Sequence, residues 1–171
     1  MARLFFALWP DDRARAALDR LAASVATSQG GRRVRAAGLH LTLVFLGECD
    51  DDQAVAASRV ASGLHAPAFG IRLDRIGAFP KAGVAWAGCE TPAPSLQFLQ
   101  AALADRLRGA GFVLEDRPFA VHLTLARRIR EAPAERTIEP VAWRAGSFAL
   151  VRSQGGAGGY ETVAEWPLQE D

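Results

Sequence analysis

A chain of 171 residues, 50% hydrophobic and 23% charged, has the size of one domain and too much apolar content to remain disordered. Its net charge of +1 excludes a polycation, so any grip on an anionic polymer has to come from local patches. Two cysteines without close spacing, Cys49 and Cys89, exclude a disulfide framework, and no apolar run is long enough for a membrane span or a signal peptide.

In chain order, the apolar run 3–9 reads as a buried strand ended by Pro10. Asp11 or Asp12 then caps a helix whose face carries Leu18, Leu21 and Val25 and which Gly30 and Gly31 close. Residues 39–46 form an apolar run of strand length. Asp50 to Asp52 offer caps for a second helix bearing Val55, Val60 and Leu64. Two strands are expected at 69–76 and 83–88, with a turn at 80–83. Leu96, Leu99, Leu103 and Leu107 mark a third helix, capped by Ser95 and ended by Gly109 and Gly111. A strand-length run at 119–126 follows, then a looser stretch at 127–140 rich in Arg, Glu and Pro. Strands at 147–153 and 160–168, joined by a glycine loop at 155–159, close the chain. No linker divides it.

One repeat stands out. The tetrapeptide His-Leu-Thr-Leu occurs at 40–43 and again at 122–125, about half a chain apart, in a sequence with only three histidines. Residues i and i+2 of a strand share a face, so His40 and Thr42 are expected opposite Leu41, Leu43 and Phe45. His122 and Thr124 are likewise expected opposite Val121, Leu123 and Leu125. With the apolar faces against helices, the polar faces are left to oppose each other across a cleft between two similar lobes.

Two opposed imidazoles suit acid–base chemistry at a phosphate, since near neutral pH one can accept a proton while the other donates one. A threonine two residues on can hydrogen-bond a phosphate oxygen. The charge pattern agrees with an anionic ligand. Nineteen of the twenty basic residues are arginine, and two acid-free windows enclose the motifs. One holds Arg20, Arg32, Arg33 and Arg35; the other holds Arg117, Arg127, Arg128 and Arg130. His65 reads as a helix-end residue without chemistry, and the four tryptophans read as packing. A zinc site built from both cysteines and two histidines lacks the close cysteine pair it would need. Three readings remain: hydrolysis of an activated phosphodiester at the end of an anionic polymer, the same chemistry on a small nucleotide, and a non-catalytic module whose histidines only grip a phosphate end.

The paired motifs resemble those of the 2H phosphoesterase superfamily, and within it the RNA 2′,3′-cyclic phosphodiesterases, also called 2′-5′ RNA ligases. The context 3–8, the extended motif 40–47, Gly77 to Pro80, Trp86 to Gly88, 122–127 and Trp166 to Leu168 all fit that group. Val121 departs from it, since many relatives carry proline there. The resemblance implies an α+β, bilobal, pseudo-duplicated fold of one domain over 1–171, with two mainly antiparallel sheets, outer helices and a central cleft. It implies opening of an RNA 2′,3′-cyclic phosphate to a 2′-phosphate end, with 2′-5′ ligation as the reverse chemistry. His40 would donate the proton to the leaving oxygen and His122 would accept one from water. Thr42, Thr124 and Arg127 would hold the phosphate, with no metal and no other cofactor. The expected partner is RNA with a cyclic phosphate end, and the expected protein is a cytoplasmic monomer away from membranes.

Overall fold

The structure, a computed structural model, describes residues 1–155 and 159–170. Strand β1 (Ala2–Leu8) leads into helix α1 (Asp12–Gln29), whose Asp11 cap accepts a hydrogen bond from the Ala14 amide. A two-residue strand, β2 (Arg32–Arg33), and a 3₁₀ turn (Ala36–Gly38) precede β3 (Leu41–Cys49). Helix α2 (Asp51–Ser62) starts with a capping box, in which Asp50 and Gln53 each bond the other's amide. The hairpin β4 (Phe69–Phe79) and β5 (Val84–Gly88) and helix α3 (Pro94–Gly109) follow. Then come β6 (His122–Arg127), β7 (Arg136–Ala145), β8 (Ser147–Ser153) and β9 (Tyr160–Pro167).

The strands build one sheet in the order β7-β4-β5-β6-β3-β1-β8-β9, with β2 beside β6. Every pairing between these strands is antiparallel. The two sheets expected from the sequence are therefore joined. A single pair, Leu41 opposite Leu123, makes the junction between β3 and β6.

All three helices share one core cluster on one face of this sheet. Leu18, Ala22 and Val25 of α1 and Leu96, Leu99, Leu103 and Leu107 of α3 are buried there with Leu4, Phe6, Leu41, Leu123 and Leu125 of the strands. Alternate residues of β1 serve the other face. Phe5 and Ala7 join Ala149 and Val151 in a smaller cluster flanked by Trp9 and Tyr160. The sheet is thus apolar on both faces over the β1 and β8 strands, a pattern associated with continuous hydrophobic runs rather than alternation.

Two local expectations change. The 127–140 stretch supplies most of the first half of β7, an edge strand that pairs only with β4. Its Pro140 falls where the ladder skips from Leu73–Val141 to Arg75–Thr137, an irregularity at which a residue without an amide proton is tolerated. Helix α3 begins at Pro94 after Ala93, with no side-chain cap, so Ser95 does not cap it. Residues 156–158 of the expected glycine loop lie outside the described residues. Among the described residues no helix is long and apolar enough to cross a membrane.

Candidate active site

The single β3–β6 pair sets the site. Leu41 and Leu123 are both fully buried on the helix side. Their flanking residues, His40 and Thr42 on one strand and His122 and Thr124 on the other, turn to the opposite face. Four residues that lie 82 apart in two pairs are brought together by one leucine contact.

Both histidines are held alike. The Nδ1 atoms of His40 and His122 lie 2.7 Å and 2.9 Å from the carbonyl oxygens of Gly38 and Ala120, two residues upstream in each case. A carbonyl only accepts, so each ring carries its proton on Nδ1 and leaves Nε2 for chemistry. In His40 that Nε2 lies 3.1 Å from Thr42 Oγ1, which donates to it while the ring is neutral.

Their surroundings differ. His40 stacks on Phe5, with centroids 4.9 Å apart, and meets the ring edges of Tyr160 at 5.0 Å and Trp9 at 5.6 Å. Burial in this aromatic box lowers the imidazole pKa to about 4. Positive charge at Arg127 and His122 pushes the same way, against the upward pull of the Gly38 hydrogen bond. That coupling also places Arg127 and His122 within electrostatic range of His40. Among the described residues His122 makes one aromatic ring contact, edge-on with Phe79 at 5.1 Å, and it lines a cavity of about 600 Å³ with Thr42, Phe45, Phe79 and Phe119.

Matching bulges shape the two strands beyond their threonines. On β6 the partners step from Trp86–Thr124 to Ala85–Ala126, so Leu125 is the extra residue. Strict alternation from His122 would put Arg127 with the leucines; the bulge returns it to the site face. On β3 the partners step from Ala7–Thr42 to Phe6–Val44, which makes Leu43 the extra residue and turns Phe45 out. Phe45 is 58% exposed, so its expected place opposite the motif is corrected. The sixth residue counted from each motif histidine thus reaches the site face, as an aromatic ring on one strand and a guanidinium on the other.

The aromatic wall of Phe5, Trp9 and Tyr160 was not legible as part of the site. Phe5 and Tyr160 lie far from His40 in sequence, and their strands meet it only through the β9-β8-β1-β3 ladder. Trp9 does pack, as expected, but against a catalytic candidate. Trp86, another expected packing residue, is paired with Thr124 and lies against Gly77 and Gly88. His65 is exposed in the segment that follows α2. Cys49 is buried against the Leu46 carbonyl, and no three His, Cys, Asp or Glu among the described residues cluster as metal ligands.

Fold and site define an α+β protein whose helix-backed antiparallel sheet presents two His-x-Thr pairs on one face. The 2′-5′ RNA ligase superfamily model matches residues 10–157, and the chain belongs to that family, the 2H phosphoesterases. It is 32% identical to the RNA 2′,3′-cyclic phosphodiesterase of Escherichia coli K12, over 98% of this chain and 97% of that protein. A protein of the same name from Thermus thermophilus is 36% identical over 89% and 82% of the two chains. The crystal structure of E. coli LigT complexed with 3′-AMP superposes with a TM-score of 0.88 at 31% identity, covering 98% of each chain.

Proposed function

We propose that this enzyme opens 2′,3′-cyclic phosphate ends of RNA to 2′-phosphate ends through His40 and His122 acting as an acid–base pair. The observation that carries the reading is the Leu41–Leu123 pair, which turns both His-x-Thr motifs onto one face. The names of the relatives supply the substrate class. The matching bulges and matching histidine–carbonyl bonds support a pseudo-duplicated plan in which two lobes oppose their motifs across a central cleft.

In this mechanism Thr42 and Thr124 donate hydrogen bonds to the non-bridging phosphate oxygens, and Arg127 balances the phosphate charge. His122 Nε2 takes a proton from water as the water oxygen bonds to phosphorus. The bond from phosphorus to the 3′-oxygen breaks, and His40 Nε2 delivers a proton to that oxygen. The products are a 2′-phosphate and a 3′-hydroxyl. With an RNA 5′-hydroxyl in place of water as the nucleophile, and the 3′-oxygen again leaving with the proton from His40, the same groups would form a 2′-5′ linkage.

One observation favours exchanging the two roles. With its pKa lowered to about 4, His40 is neutral in the free protein at neutral pH and better prepared to accept a proton than to give one. The anionic phosphate acts in the other direction, because it offsets the positive charge of Arg127 and favours a protonated ring. A substrate with sulfur at the 3′-bridging position decides the matter, since a thiolate departs without a general acid. Recovery of His40→Ala turnover on this substrate, with His122→Ala still inactive, assigns His40 as donor; the opposite recovery exchanges the roles. Turnover of a cyclic-phosphate-ended oligonucleotide in excess chelator, with a 2′-phosphate product, tests the reaction itself. Lack of any opening would defeat the enzyme reading in favour of an RNA-end binder.

A further inference from the structure

The site face carries one charged residue that the two-histidine reading does not use, Arg32, beside Arg127, which it does use. After Leu123 the edge of β6 that faces β3 is taken over by β2, with Arg32 opposite Arg127 and Arg33 opposite Ala126. Directly opposed residues of an antiparallel pair project to the same side. Ala126 is fully buried on the helix side, and Arg33 accordingly reaches Asp19 of α1 at 3.5 Å. Arg32 therefore stands beside Arg127 on the face of Thr124 and the two histidines.

Like charges on directly opposed residues of a ladder repel, and among the described residues neither Arg32 nor Arg127 forms an ion pair. The backbone is nevertheless built to bring them together. Gly31 has a φ of +124°, and a Cβ there would approach the Arg127 carbonyl oxygen to 2.7 Å. Only glycine lets β2 press against β6 at this point. A standing repulsion, held by a close backbone approach on the site face, is the arrangement that an anion would relieve.

We propose that Arg32, together with Arg127, which lies between the two and also serves the reacting phosphate, holds a second phosphate: the phosphodiester on the 5′ side of the nucleotide whose cyclic phosphate the histidines open. Once the bulge is discounted, Arg127 lies two ladder positions beyond Thr124, about 7 Å along the strand, on the scale of successive phosphates in one RNA strand. A phosphodiester offers two non-bridging oxygens, one for each guanidinium fork. The substrate is then an RNA strand rather than a lone nucleoside. This rests on the reaction proposed above, and it makes Arg32 a residue that sets substrate length.

The test compares wild type, Arg32→Gln and Arg33→Gln on three substrates. These are adenosine 2′,3′-cyclic phosphate, its 5′-phosphorylated form, and a dinucleotide ending in the cyclic phosphate. Arg32→Gln is expected to reduce the preference for dinucleotide over mononucleoside by about tenfold or more in kcat/KM, through KM, the scale of a lost charge-assisted hydrogen bond. The slope of log affinity for the dinucleotide against log salt should become shallower by roughly 0.7. Arg33→Gln should alter neither quantity. An equal loss on all three substrates, or no loss on any, overturns the proposal. A loss confined to the 5′-phosphorylated mononucleotide overturns the strand phosphodiester in favour of a free phosphate. If wild type opens none of the three, the reaction is misread and binding decides the second site. A dinucleotide 3′-phosphate must then bind about tenfold more tightly than 3′-AMP, with Arg32→Gln abolishing the difference; equal binding overturns the site as well.

Discussion

Strands β3 and β6 carry the same four residues, the same histidine–carbonyl bond and the same bulge, yet they place their histidines in different media. On β3, Phe5, Trp9 and Tyr160 enclose His40, because β1, β8 and β9 continue the sheet beside it and give their site face to aromatic and small apolar side chains. On β6 the neighbouring site-face positions are occupied by Trp86 and Phe79, and His122 borders the cavity. A repeated motif therefore fixes hydrogen bonding locally, while the strands flanking it fix the environment in which the ring titrates. Two identical tetrapeptides can in this way set their imidazoles in different surroundings.

The largest effect should come from removing either ring. His40→Ala and His122→Ala should each lower kcat by roughly 10² to 10⁴, and the double variant should lose less than the product of the two. Circular dichroism guards against mistaking unfolding for lost chemistry. Near-normal turnover by either folded variant would break the pairing of the two regions.

The β6 side can be disturbed without touching a motif residue. The Trp86 indole lies so close to Gly77 that an added Cβ would clash with its Cζ2 and Cη2 atoms. Gly77→Ala should destabilise the protein by about 1–3 kcal/mol or more in urea unfolding, the usual cost of overpacking. An unchanged midpoint would mean that Trp86 moves aside freely.

A titration followed by NMR sharpens the comparison directly. Phe5→Leu removes the stacked ring and should raise the His40 pKa from about 4 towards the ordinary 6.5, whereas Phe79→Leu should leave His40 nearly unmoved. The sign carries over to stability. Because folding lowers this pKa, the unfolded chain binds the proton more readily between about 6.5 and 4. The contribution of neutral His40 is complete above pH 6.5 and is lost as pH falls through 4, a loss that Phe5→Leu should diminish.

The smallest effects are expected away from both strands' polar faces. Arg33→Ala breaks a largely exposed pair with Asp19 and should cost at most about 1 kcal/mol in urea unfolding. His65→Ala, in the exposed segment that follows α2, should be silent in both activity and unfolding, which makes it the control for the other two histidines.

Much of this was legible because it is periodic or repeated. The helical spacing of Leu96, Leu99, Leu103 and Leu107, the Asp11 and Asp50 caps, the hairpin at 80–83 and the two motif strands all follow from local rules. The candidate site residues His40, Thr42, His122 and Thr124 stand out in the sequence because a repeat at half-chain spacing in a histidine-poor chain is conspicuous. Strand β7 was hidden by Pro140 and alternating charge, which an edge strand tolerates and a central one would not. The outward turn of Phe45 was hidden by a bulge. A bulge is a property of two paired strands, so period-two reasoning along one strand cannot contain it.

The sequence by itself determined which side chains can do chemistry, which elements carry them, and that they come in two copies. Its family membership was likewise written in ordered motifs along the chain. Only the tertiary structure decided that the expected two sheets are one, joined at Leu41–Leu123, because that pairing is a contact between residues 82 apart. It also decided that His40 is enclosed by aromatic rings, that Arg33 is committed to Asp19, and that Arg32 stands with Arg127. Proton affinity and charge balance depend on what lies within a few ångströms of a group. For these residues the neighbours are supplied by strand order and register, which local spacing alone does not specify.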